Sequence, residues 1–223
     1  MMRRRTITIF LIIEVILYLV YMTMDLTGSN GSTIGFKYAG ILLCLLFSSL
    51  CAFYGGDEIV PFALLFTAIA DFFLLVINQD YLVGVSFFIV VQSLYLARLY
   101  LASKKTWLAA RVLCALAVIL FLFLAGMASA LNLITLIYFT LLFLNMLLSW
   151  TLKDKKWRIF SLGLSLFVLC DLCVGAFNMA GALPEGLYAF VSIGMWLFYL
   201  PSQVLISLST LNPEDKSIAP SRS

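Results

Sequence analysis

The chain has 223 residues, of which 64% are hydrophobic and 11% charged, with a net charge of +3 and a mean hydropathy of +1.10. A water-soluble domain is roughly half apolar and about a quarter charged, so no single soluble core hides this much apolar surface. The composition excludes a disordered chain, a disulfide scaffold and a nucleic-acid module. The absence of histidine also removes Ser-His and Cys-His catalysis and His-ligated metal sites.

Crossing about 30 Å of hydrocarbon as a helix takes roughly 20 apolar residues. The first such run, 6–24, follows Met-Met-Arg-Arg-Arg without a small-residue cleavage site, so it reads as an uncleaved helix; it carries the acid Glu14. The second run, 34–53, opens near Lys37 and holds Cys44 and Cys51. The third, 59–77, contains Asp71 and is followed by Asn78. The fourth, 81–101, contains Gln92, Tyr95 and Arg98. Runs five (107–126, with Cys114) and six (129–151) are separated by only Met127 and Ala128, and a helical hairpin is the reading of so long an apolar stretch. The seventh, 157–177, holds Cys170, Asp171 and Cys173 and is followed by Asn178. The eighth, 186–209, carries Tyr199 and Gln203 on either side of Pro201, where a kink is predicted. Each run must be a helix, because open strands leave backbone groups unsatisfied in lipid. The predicted fold is all-α: one membrane domain of eight transmembrane helices spanning residues 1–223, with no soluble domain.

Lysine and arginine placement sets the orientation. With the N-terminus inside, the inner positives are Arg3, Arg4, Arg5, Arg98, Lys104, Lys105, Arg111, Lys153, Lys155, Lys156, Arg158, Lys216 and Arg222, and only Lys37 is outside. The expectation is an integral protein of a bacterial plasma membrane with both termini cytoplasmic and the 178–185 loop outside. Cys170 and Cys173 have redox or metal spacing, but a thiolate in hydrocarbon is costly and no second ligand pair completes a zinc site; they read as small packing residues, and neither a metal nor a cofactor is expected.

Asp71 and Asn78 recur as Asp171 and Asn178, an offset of 100 residues. Each pair is spaced by seven residues, two turns along one helix face. Gln92-Ser-Leu-Tyr95-Leu also corresponds loosely to Trp196-Leu-Phe-Tyr199-Leu. This suggests two parallel four-helix repeats, an arrangement found among transporters. Both aspartates lie six residues before the outer end of their spans, roughly 9 Å deep at 1.5 Å per residue. A charged side chain at the bilayer centre costs at least about 2.5–3.5 kcal/mol and turns to the bundle interior or a wet cavity. Glu14, Asp71 and Asp171 are such acids, and each also has a plain reading as a hydrogen-bonded pin between helices. Gln92, Tyr95, Tyr199 and Gln203 taken singly are helix glue, and Lys37 taken singly is a snorkelling residue. Together they describe a cavity: the aspartates at one depth, Asn78 and Asn178 above them, Lys37 at the rim as an unpaired cation, and the tyrosines and Gln203 deeper. A single-chain lipid with an anionic head suits that shape.

These residues resemble the lysoplasmalogenase-like (YhhN) family of membrane proteins from about residue 36 to 209. The likeness rests on Phe36-Lys37, Ala70-Asp71-Phe-Phe-Leu-Leu, Gly84 with Phe88 and Tyr95, Leu169-Cys170-Asp171, and Tyr199-Leu-Pro-Ser-Gln203-Val-Leu-Ile. The family commonly has a histidine where this chain has Gln92, and a serine where it has Cys170. The resemblance implies hydrolysis of the vinyl-ether bond of a lysoplasmalogen, yielding a fatty aldehyde and a glycerophospho-base. Asp71 and Asp171 would be the catalytic pair, with Lys37, Asn78, Gln92, Tyr95, Asn178, Tyr199 and Gln203 around the substrate. A competing reading is a small transporter or lipid-binding membrane protein whose buried acids hold a cation or proton. Membrane lipids are the expected surroundings, no nucleic acid is expected as a partner, and small-residue faces serve internal packing and oligomers alike.

Overall fold

In a computed structural model, residues 4–28, 31–179 and 184–211 are described, and every regular element among them is helical. The helices are α1 (Arg4–Thr27), α2 (Ile34–Phe53), α3 (Ile59–Asp71, extended by a π-helical stretch Phe72–Ile77), α4 (Tyr81–Ser103), α5 (Leu108–Leu124), α6 (Ala130–Trp150), α7 (Lys155–Phe177) and α8 (Glu185–Leu208). Each coincides with a predicted run to within a few residues. Seven are long and apolar enough to cross a membrane; α5, at 17 residues, is shorter. At 1.5 Å per residue α5 reaches about 25 Å. Ser29 and the segment 180–183 within the expected outer loop lie outside the described residues.

Exposed faces of the helices are apolar. Leu113, Leu120, Phe121, Phe123 and Leu124 of α5 and Ile9, Ile12, Ile16 and Leu19 of α1 all point outward. A water-soluble monomer does not tolerate apolar patches of this extent, whereas lipid covers them. The interior is packed by Leu64, Leu99, Leu142, Leu148, Phe160, Leu164 and Leu200. Helices α1 and α2 run antiparallel, as the Phe10–Phe47 stack at one end and the Asp25–Lys37 pair at the other require. The α2–α3 turn meets the end of α8, where the Asp57 amide donates to the Thr210 carbonyl. The start of α1, the α2–α3 turn and the end of α8 therefore share one end of the bundle, the basal end. Helices α7 and α8 pack closely, because Gly163 has no side chain; a Cβ there would sit 3.1 Å from the Ser202 carbonyl oxygen.

Two side chains of α1 complete the backbone of α8. Pro201 has no N–H to offer the Leu197 carbonyl, and the Tyr18 hydroxyl donates to that oxygen at 3.3 Å. One turn further along α1, the Tyr21 hydroxyl donates to the Trp196 carbonyl at 3.1 Å.

Candidate functional site

Asp71 closes the regular part of α3, and the chain continues as the π-helical stretch, an irregularity that recurs at functional sites. Its carboxyl is buried and accepts a 2.6 Å hydrogen bond from the Tyr199 hydroxyl of α8. Asp171, half-buried on α7, accepts one of 2.5 Å from the Tyr138 hydroxyl of α6. Both are short hydroxyl-to-carboxyl contacts in an apolar setting. The two carboxyls lie within electrostatic reach of each other, and Tyr138 and Cys170 within reach of both. Aromatic rings wall the group. Phe88 stacks on Tyr138 at 5.3 Å and meets Phe167 edge-on at 5.7 Å, and Phe167 meets Tyr199 at 5.5 Å. The arrangement holds two acids and two hydroxyl donors at one place, supplied by α3, α6, α7 and α8.

Of the predicted site residues, Tyr199 is joined directly to an aspartate. Asn78 and Asn178 bond to neither. Asn78 is exposed with φ of 54°, ends the π-helical stretch, and accepts from the Tyr81 hydroxyl at 2.8 Å. Asn178, also exposed, donates to the Val174 carbonyl at 2.9 Å. Their shared offset thus coincides with two helix ends, since asparagine tolerates the left-handed region and bonds readily to nearby backbone. Gln92 is fully buried one turn beyond Phe88. The Asn145 amide donates to its side-chain oxygen at 3.0 Å and its carbonyl at 2.8 Å, and Arg111 donates to Asn145 at 2.8 Å. Tyr95 and Gln203 are fully buried, each with an oxygen lacking a partner.

The expectation that Lys37 is an unpaired cation is corrected. Its ammonium contacts Asp25 at 2.8 Å, lies 4.5 Å from the Trp196 ring centre, and belongs to a residue only 7% exposed. The Thr33 hydroxyl donates to the other oxygen of Asp25 at 2.9 Å. Asp25 lies seven residues past Tyr18 near the end of α1, a position that no local pattern connects to Lys37 before the helices are packed. Arg98, counted in the sequence as a topology charge, is buried as well. It pairs with Asp57 at 2.8 Å, donates to the hydroxyl and carbonyl of Ser209, and lies beneath Phe160 and Trp157.

Tyr138 is the site residue that sequence reasoning missed. A signal was present: Tyr38 stands 100 residues before it, the same offset that relates Asp71 to Asp171. Tyr38 lies within electrostatic reach of Asp71, with its hydroxyl donating to the Ala68 carbonyl at 3.2 Å.

Comparison with family models decides the classification. The YhhN family model matches residues 32–210. The chain belongs to the YhhN family. No curated protein and no solved structure matches it. The YhhN family includes lysoplasmalogenases, and the matched span covers α2 through α8, including both aspartates and both tyrosines that hold them. Helix α1 and its Glu14 precede the match.

Proposed function

We propose that this YhhN protein is a membrane hydrolase that cleaves the vinyl-ether bond of a lysoplasmalogen, releasing a fatty aldehyde and a glycerophospho-base. One observation carries the reading: two carboxyls within electrostatic reach, each bonded by a buried tyrosine hydroxyl, in an aromatic-walled site inside the bundle. A vinyl ether hydrolyses by protonation of its β-carbon. The resulting oxocarbenium-like cation takes up water, and the hemiacetal collapses to aldehyde and alcohol. Glycosidases meet a related demand with two carboxyl groups, one giving a proton and one activating water or stabilising the cation. Two carboxyls within electrostatic reach in a place of low polarity do not both ionise cheaply, so the pair retains a proton to give. Asp71, the more deeply buried, is assigned the acid role; Asp171, half-buried, faces the incoming water. Tyr199 and Tyr138 fix the two carboxyl orientations. The apolar walls suit a single hydrocarbon chain, as a lysophospholipid-like substrate would present. The eight helices, including the short α5, are assigned as membrane spans in two parallel repeats, with both termini in the cytoplasm.

The test is aldehyde release by detergent-solubilised protein over a panel of lyso-lipids that differ in head group and in vinyl-ether, alkyl-ether or ester linkage. Aldehyde from the vinyl-ether members alone is expected. Proton uptake on adding substrate, with no aldehyde from any member, would replace hydrolysis with transport.

A further inference from the structure

Away from the aspartates, three buried oxygens on three helices have no hydrogen-bond partner among the described residues: Glu14 Oε2 on α1, Tyr95 Oη on α4 and Gln203 Oε1 on α8. All three residues are at most 2% exposed. Cys44 of α2 ties them together. Its thiol donates to Glu14 Oε1 at 3.3 Å, and it lies within electrostatic reach of Tyr95 and beside Ser207, one turn past Gln203. Gly40, one turn from Cys44, leaves room beside the acid. A Cβ there would be 3.2 Å from Glu14 Oε2 and 2.7 Å from Leu200 Cδ1, and Leu200 is three residues before Gln203. Glu14 and Gln203 therefore flank the same turn of α2 at one depth.

Each of these atoms is able to accept a hydrogen bond, and what is missing is a donor or a cation. The buried cations among the described residues are already engaged: Lys37 by Asp25, Arg98 by Asp57 and Ser209, and Arg111 by Asn145 and the Thr106 carbonyl, with one Arg111 nitrogen left unpaired and Arg98 within electrostatic reach of Tyr95. Buried polar groups in native proteins are nearly always satisfied, and an orphaned set points to an unseen water or ion. A carboxylate inside the membrane also needs its charge matched. We propose that Glu14, Gln203 and Tyr95 form a second site, distinct from the aspartate pair, that binds a small hard cation, either a proton or a sodium ion, with water completing its contacts. Cys44 positions the carboxyl by occupying Oε1 and leaving Oε2 for the cation.

The experiment uses the full chain in detergent and two readouts. The thermal midpoint is followed in sodium chloride against choline chloride at equal ionic strength, and the infrared carbonyl band of protonated carboxyl groups in water and deuterium oxide. Sodium as the ligand predicts a midpoint that rises with the logarithm of sodium concentration in the wild type and not in Glu14→Gln. A proton as the ligand predicts no sodium effect, but a carbonyl band that shifts in deuterium oxide and is missing from Glu14→Gln. Tyr95→Phe removes an oxygen with no protein partner and keeps the packed ring, so it carries the test even if Glu14→Gln does not fold; it weakens the sodium effect or moves the band. Asp71→Asn leaves the Glu14 signal in place, which separates this result from hydrolysis. The site is overturned if the wild type shows neither a sodium effect nor a solvent-exchanging Glu14 band, or if Glu14→Gln and Tyr95→Phe both leave these signals unchanged.

Discussion

Asp71 and Asp171 carry the proposed chemistry, and replacing either by asparagine keeps shape and most hydrogen bonding while removing the proton and the charge. Aldehyde release is expected to fall at least ~10²-fold in each single variant, the lower range for a lost general acid or base. The double variant is expected to lose little more than the worse single, because the two act as one unit. A double variant that hydrolyses at the wild-type rate would remove the aspartates from the mechanism. The tyrosines differ from them in kind. Tyr199→Phe and Tyr138→Phe each withdraw one donor from a carboxyl. Each is expected to cost about 1–3 kcal/mol of stability for the acceptor left unsatisfied. Lower kcat with little change in KM would mark them as positioning residues, and equal activity would leave them as helix glue.

Helix α8 shows how an element carries a defect that a neighbour repairs. Pro201 frees the Leu197 carbonyl, and Tyr18 of α1 supplies the donor. Tyr18→Phe is expected to destabilise the protein by about 1 kcal/mol, the usual net value of one hydrogen bond. In a Pro201→Ala background α8 regains its own N–H, so the same change is expected to cost much less; thermal midpoints of the four proteins form the cycle that checks it. Helices α1 and α2 are pinned at the other end of the bundle by Asp25 and Lys37. Lys37 is 8% exposed by side chain and Asp25 26%, between a surface pair and a buried one. Lys37→Gln and Asp25→Asn are each expected to cost about 2 kcal/mol and to show coupling in the double variant. Two additive losses would mean that the pair contributes nothing as a pair. Lys37 already has a counter-ion and an aromatic partner, so a head-group role for it would require sharing or releasing Asp25.

The molecule as a whole reads as a bundle whose polar contacts face inward and whose apolar surface faces lipid. The charge asymmetry predicts that Lys155 is cytoplasmic and the exposed α3–α4 turn residue Gln79 is outside. Gln79→Cys is expected to react with an impermeant thiol reagent on intact cells, and Lys155→Cys only after lysis. Reagent reaching Lys155→Cys in intact cells would reverse the topology.

Length and hydropathy alone placed the eight helices among the described residues and their near-ends, seven of them long and apolar enough to cross a membrane, because in lipid a long apolar run has no other way to satisfy its backbone. The sequence also marked Asp71, Asp171 and Tyr199, since an acid within a membrane helix is too costly to be incidental. It did not join Tyr199 to Asp71, 128 residues apart, or choose Tyr138 as the partner of Asp171. Nor did it pair Lys37 with Asp25, or turn Arg98 from a topology charge near the inner end of the fourth run into a buried clasp on Asp57 and Ser209. These are contacts between helices, and periodicity along one helix says which face is polar, never which neighbour meets it. Repetition misled in one place and was underused in another. Asn78 and Asn178 recur at helix ends, whereas Tyr38 and Tyr138 recur beside the two acids. Only the packing of α3, α6, α7 and α8 around Phe88 and Phe167 separates the two cases, because there the cost of burying a carboxyl is offset by a tyrosine hydroxyl from another helix.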